Sequence, residues 1–177
     1  MTDADLFEAF VRRYQDMVFA TAVRLLGNPM DAEDIAQTVF MRAFQRFAEI
    51  GPSPTAAGWL KTVTRNVCLN HLSRYRRRWR FFSELTPADA AAGELDPAER
   101  LAVTPAVVDD LEQSQLHEQL EQALRRLPDH QRVPLVLFHF EDMSYQDIAN
   151  TLRVSLGKVK TDIHRGREAL GRLMKAE

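Results

Sequence analysis

A chain of 177 residues with 45% hydrophobic residues fits one large or two small domains of an ordinary soluble protein. No stretch reaches the roughly 18 apolar residues of a membrane span, and the acidic start MTDADLFEAF lacks the basic opening and small-residue cleavage pattern of a signal peptide; the expected location is the cytoplasm, without membrane insertion. A single cysteine, Cys68, excludes an intramolecular disulfide and a cysteine-based zinc cluster, and the net charge of −2 conceals cations and acids that are segregated along the chain.

The first predicted helix runs from Asp5 to Leu26, with Leu6, Phe10, Met17, Phe19, Ala22, Val23 and Leu26 on a broad apolar face. Gly27, Asn28 and Pro29 end it. Asp31 with Asp34 three residues on resembles a capping box for a second helix, DAEDIAQTVFMRAFQRF. That helix is expected to bury Ile35, Val39, Phe40, Ala43, Phe44 and Phe47. Asp34, Gln37, Thr38, Met41, Arg42 and Gln45 then face outward, as a solvated strip or a partner surface.

Ile50 to Pro54 reads as a loop, and a third helix starts near Thr55. Leu60, Val63, Val67 and His71 mark its inner face, Trp59 its edge, and Lys61, Arg65, Leu69 and Arg76 its outer face. The run continues as Tyr75, Arg76, Arg77, Arg78, Trp79, Arg80, Phe81, Phe82, and seven cations with no acid fall between Lys61 and Arg80. Aromatics interleaved with cations suit a single strand of nucleic acid, whose bases stack and whose phosphates pair. A helix end whose arginines lie over a core gives the same pattern.

Ser83 to Pro105 is broken by Pro87, Pro97 and Pro105. From Glu84 to Glu112 there are eight acids and one base, Arg100. So polar a stretch reads as a linker. Helical spacing returns through Leu111, Leu116, Leu120, Ala123, Leu124 and Leu127, and Pro134 is expected to kink or restart the helix that follows. Ser144 can cap a helix over Tyr145 to Leu152, and Ser155 the next one. Leu156, Val159, Ile163, Gly166, Leu170 and Leu173 share one face of that last helix. Gly157, Lys158, Thr161, His164, Arg165, Glu168 and Arg172 share the other, with Lys160 on its flank. Two short capped helices followed by a longer one with small residues and cations outside suit a helix-turn-helix, whose second helix enters the major groove. A helical hairpin with a solvated face is the alternative.

The order of these parts resembles a bacterial RNA polymerase sigma factor of the small, two-domain extracytoplasmic function group of the sigma-70 family. DAEDIAQTVFMRAFQRF is similar to the core-binding helix of region 2, GWLKTVTRNVCLNHLSRYRRR to the promoter-melting segment, and LPDHQRVPLVLFHFEDMSYQDIANTLRVSLGKVKTDIHRGREAL to region 4. The resemblance implies an all-α fold of two small helical domains: a region 2-like bundle over residues 1–82, an acidic linker over 83–106 and a region 4-like helix-turn-helix over 107–177. It implies core RNA polymerase and promoter DNA as partners, and an anti-sigma factor as a further one. Asp34 and Gln37, with Phe40 beside them, would meet the clamp helices of the largest polymerase subunit. The loop from Ile50 to Pro54 and Asn66 would capture a flipped base of the minus-ten element, with Trp59, Lys61, Arg65 and Arg76 along the melting strand. Lys158, Lys160, Thr161, His164 and Arg165 would read the minus-thirty-five element. The chain departs from the family pattern at Thr38, where an acid is frequent, and at Asp162, where a cation is common.

The five histidines, His71, His117, His130, His139 and His164, lack a ligand-type spacing, and there is no phosphate-binding glycine loop. No catalytic residue, metal or cofactor is therefore expected, and the chain does not read as an enzyme. Two other readings remain: a sigma-like decoy that binds an anti-sigma protein but no promoter, and a helix-turn-helix regulator.

Overall fold

The structure, a computed structural model, describes residues 2–73 and 110–176. Among the described residues every regular element is an α-helix, and the helices fall into two compact units. The acidic linker expected over 83–106, the domain boundaries at its ends, and the run from Tyr75 to Phe82 lie outside the described residues.

In the first unit α1 spans Asp3–Leu26, α2 Pro29–Gln45, α3 Phe47–Ile50 and α4 Ala56–Ser73. Thr2 caps α1 in a capping box with Asp5, whose backbone N–H donates to the threonine hydroxyl at 3.2 Å while its carboxylate accepts from the Thr2 N–H at 2.8 Å. Gly27, left-handed at φ 68°, closes the helix on the Val23 carbonyl. The start of α2 corrects the sequence expectation. Asn28 is the cap, its side-chain oxygen accepting from the Met30 N–H at 2.9 Å, because Pro29 costs no hydrogen bond in the first helical position. Asp31 lies inside the first turn instead.

Helices α1, α2 and α4 pack on one another around Val18, Leu25, Val39, Leu60 and Cys68, all fully buried. Thr64 joins this core because its hydroxyl donates to the Leu60 carbonyl at 2.7 Å. Leu69, expected outside, is buried. Contact with both α1 and α2 widens the covered arc of α4 beyond what a single stripe suggests. Phe44, expected inside, is 62% exposed. It closes an aromatic cluster from its edge, its ring 5.0 Å from Phe7, which in turn meets Phe47 at 5.1 Å.

The second unit contains α5 Asp110–Arg126, α6 Asp129–His139, α7 Tyr145–Leu152 and α8 Leu156–Lys175, and α8 packs against the other three. Leu124, Val133, Leu135, Leu137, Ile148, Val159 and Ile163 form its core. The chain breaks at Leu127 and Pro128, and α6 runs through Pro134 without restarting. That proline forgoes one backbone hydrogen bond, and its ring is buried in the core.

Candidate nucleic-acid interface

The α7–turn–α8 segment has two capped helices and a tight junction. The Ser144 hydroxyl accepts from the Asp147 N–H at 3.1 Å, and that of Ser155 from the Lys158 N–H at 3.2 Å. Between them Arg153 takes the left-handed conformation, φ 56° and ψ 47°, and its N–H caps α7 on the Ala149 carbonyl. A non-glycine residue pays for this geometry in backbone strain. Beyond this junction α8 leaves Gly157, His164, Arg165, Glu168 and Arg172 exposed, with Lys160 and Thr161 half-buried. His164 Nε2 lies 3.5 Å from the Glu168 carboxylate.

Two residues of α8 pair with one another along the helix. Asp162, which stands where a cation is common in the family pattern, is only 7% exposed. Lys158 is half-buried, and its ammonium donates to the Asp162 carboxylate at 2.7 Å. Burial pushes the Asp162 carboxyl above the ordinary carboxylate range, and the lysine acts against that rise. Across the helix interface burial holds the His130 imidazole below its ordinary value, with Asp162 pulling the other way.

On the first unit, Trp59, Thr62 and Asn66 fall at helical spacing on one strip of α4, and Lys61 and Arg65 on the next. Asn66 is exposed, and Trp59, Lys61 and Arg65 are half-buried. The Arg46 guanidinium stands 6.0 Å from the centre of the Trp59 ring and pairs with Glu49 at 2.7 Å, which fixes the indole at the mouth of the loop. The expectation for Ile50 is corrected: its side chain is 6% exposed and belongs to the core, so that position offers DNA no side chain. Gly51 follows because a Cβ there would stand 2.7 Å from the Phe47 ring and 2.8 Å from the Phe47 carbonyl. Ser53 and Thr55 share a hydroxyl hydrogen bond of 2.8 Å beyond it. Arg76 lies outside the described residues.

On α2, Asp34 and Gln37 are exposed and Phe40 is half-buried. The Thr38 hydroxyl donates back to the Asp34 carbonyl at 3.0 Å, so the position where an acid is frequent carries a group already engaged with its own helix. Of the apolar part of this face, sequence reasoning singled out only Phe40 as a contact; it placed Met41 outside without a role and Phe44 inside. Phe7, Phe40, Met41 and Phe44 line an open depression with Gln37 and Gln45, and Met41 is 67% exposed. The signal was an apolar pair, Met41 and Phe44, at a spacing of three on an otherwise polar strip. Among the described residues no group of three or more His, Cys, Asp or Glu side chains is placed to hold a metal ion, and no helix is long and apolar enough to cross a membrane.

Comparison with known proteins assigns the chain to a family. A family model described as Sigma-70 region 2 matches residues 10–78, and one described as Sigma-70, region 4 matches residues 117–170. The chain is 38% identical over 164 residues to the ECF RNA polymerase sigma factor SigE of Mycolicibacterium smegmatis, covering 93% of this chain and 60% of that protein. It is 29% identical over 169 residues to the ECF RNA polymerase sigma factor SigW of Bacillus subtilis, with 95% and 88% covered. It is 34% identical over 167 residues to the RNA polymerase sigma-E factor of Streptomyces coelicolor, with 94% and 83% covered. The chain thus spans less than two thirds of the first of these relatives and most of the other two. With both regions matched in order, each on its own helical unit, the chain belongs to the sigma-70 family of RNA polymerase sigma factors, in the extracytoplasmic function group.

Proposed function

We propose that this chain is a transcription initiation factor that binds core RNA polymerase, directs it to a set of promoters and helps to open the minus-ten element. The observation that carries the reading is that one chain of this family presents three distinct surfaces: an exposed polar and apolar strip on α2, a half-buried tryptophan and cation edge beside exposed Asn66 on α4, and a helix-turn-helix surface on α8. Asp34, Gln37 and Phe40, joined by Met41 and Phe44, form the docking face for the polymerase. Asn66, Trp59, Lys61 and Arg65, with the backbone of the Gly51 to Pro54 loop, serve the separated strand. Lys160, Thr161, His164 and Arg165 read the upstream duplex. The chain supplies binding and orientation, while the chemistry of RNA synthesis belongs to the polymerase. It acts where polymerase and chromosome meet, in the cytoplasm, and an anti-sigma factor would silence it by covering the α2 face or the α8 face.

Labelled promoter duplex titrated with core polymerase, this chain and both together tests the reading. A sigma factor makes the complex of all three. A helix-turn-helix regulator retains the duplex without polymerase, and a decoy forms no complex with core or promoter.

Two substitutions probe the DNA faces. Arg165→Ala is expected to cost about 1–3 kcal/mol at one upstream base pair if the guanidinium reads a base edge, with the other positions unaffected; a uniform loss across all sequences identifies a phosphate contact instead. Asn66→Ala is expected to leave the closed complex intact and reduce melting, because holding a base out of the stack must offset an unstacking cost of a few kcal/mol. Permanganate footprinting reads this as weaker reactivity of minus-ten thymines, and normal reactivity removes Asn66 from the role.

A further inference from the structure

Lys158 stands in the first turn of α8, the turn that a helix-turn-helix presents to base edges, yet its ammonium is turned back along the helix onto Asp162 at 2.7 Å. The carboxylate lies where α8 crosses α6. That crossing is close at Gly166, where a Cβ would stand 3.2 Å from the Gln131 carbonyl, and His130 beside Gln131 acts on the same carboxylate, as does Arg165 from α8 itself. Burial raises the cost of keeping Asp162 charged and Lys158 acts against it, yet well-packed neutral residues in place of such a whole pair often fold as well or better. The value of this pair lies elsewhere. A lysine on the edge of a reading helix is a mobile point charge that meets phosphate at any sequence, so it raises affinity for all DNA alike.

We propose that Asp162 is a positioning residue for promoter recognition: it withholds Lys158 from the DNA, so that α8 reads the upstream element through Thr161, His164 and Arg165. The inference rests on the reading of α8 as the helix that enters the upstream duplex. Removing one sequence-independent contact lowers affinity for every sequence by the same factor, so that base readout supplies a larger share of the binding free energy while the ratio of specific to non-specific binding stays the same.

The test uses holoenzyme, the full chain with core polymerase, on two duplexes over a series of salt concentrations. One duplex is the sequence that the wild-type holoenzyme selects from a randomised pool, and the other is a scrambled sequence of the same composition. Lys158→Ala should leave both the salt dependence and the affinity for each duplex as in the wild type. Asp162→Asn should steepen the slope of log affinity against log salt by about one, the share of one added phosphate contact, and raise the affinity for both duplexes alike by about threefold to tenfold, with their ratio unchanged. The double variant should return both to wild-type values, which a merely structural defect at position 162 does not do. Asp162→Asn with unchanged slope and affinity overturns the proposal. So does Lys158→Ala with a slope shallower by about one, and this arm decides the matter even where Asp162→Asn fails to fold. A wild-type holoenzyme that selects no duplex overturns the reading of α8 and the inference together.

Discussion

A chain carrying Met41→Glu together with Asp34→Lys is expected to bind core RNA polymerase at least about 100-fold more weakly, close to 3 kcal/mol, while keeping its helix content. Met41 is 67% exposed and Phe44 beside it 62%, an apolar centre rimmed by Asp34, Gln37 and Gln45. Apolar groups left open in this way, with polar groups around them, are where protein interfaces concentrate their binding free energy. A glutamate at position 41 would be desolvated on docking without a partner, and the lysine at position 34 would reverse the charge of the rim. Both residues are exposed in the free chain, so the fold should lose within about 0.5 kcal/mol. Titration of labelled core polymerase checks the affinity, and circular dichroism the fold. Undiminished affinity in a folded variant would move the docking face away from α2.

Arg132→Ala is expected to destabilise the helix-turn-helix unit by about 2–4 kcal/mol. Arg132 is 3% exposed, donates to the Leu127 carbonyl at 2.8 Å and pairs with Asp129. The Leu127 carbonyl follows the last turn of α5, where no further turn of helix supplies a donor, so the guanidinium fastens the α5–α6 junction on which α8 rests. Truncation removes that donor and leaves a cavity in a unit too small to spare several kcal/mol. Hydrogen exchange on the full chain should show faster exchange over residues 110–176 and none over α1 to α4. Unchanged protection in the second unit would mean that apolar packing alone holds the junction.

Helical periodicity carried most of the α8 surface and the polar strip of α2, because a period of 3.6 residues separates inside from outside wherever one face is covered. It does not give the width of the covered arc. Leu69 is buried because α4 meets two helices, and Phe44 is open because the aromatic cluster ends beneath it. The start of α2 was legible in principle, since Asn28 and Pro29 form a cap and a first-turn proline; the acids at Asp31 and Asp34 imitated a cap one turn later. Ile50 lay in a segment punctuated as a loop, and loop punctuation carries no information about which of its side chains folds inward. The spacing of Lys158 and Asp162 is that of an ion pair on any helix. Its burial depends on the approach of α6 at Gly166, a tertiary fact absent from the local pattern.

The central claim, that this chain confers promoter choice on RNA polymerase, is tested most directly by single-round transcription from a mixture of bacterial promoter fragments with purified core polymerase. Addition of the chain should yield discrete transcripts that core polymerase alone does not make, whose start sites share one upstream and one minus-ten sequence, and Arg165→Ala and Asn66→Ala should each reduce them. A chain that binds core polymerase and leaves the set of transcripts identical to that of core polymerase alone would contradict the claim.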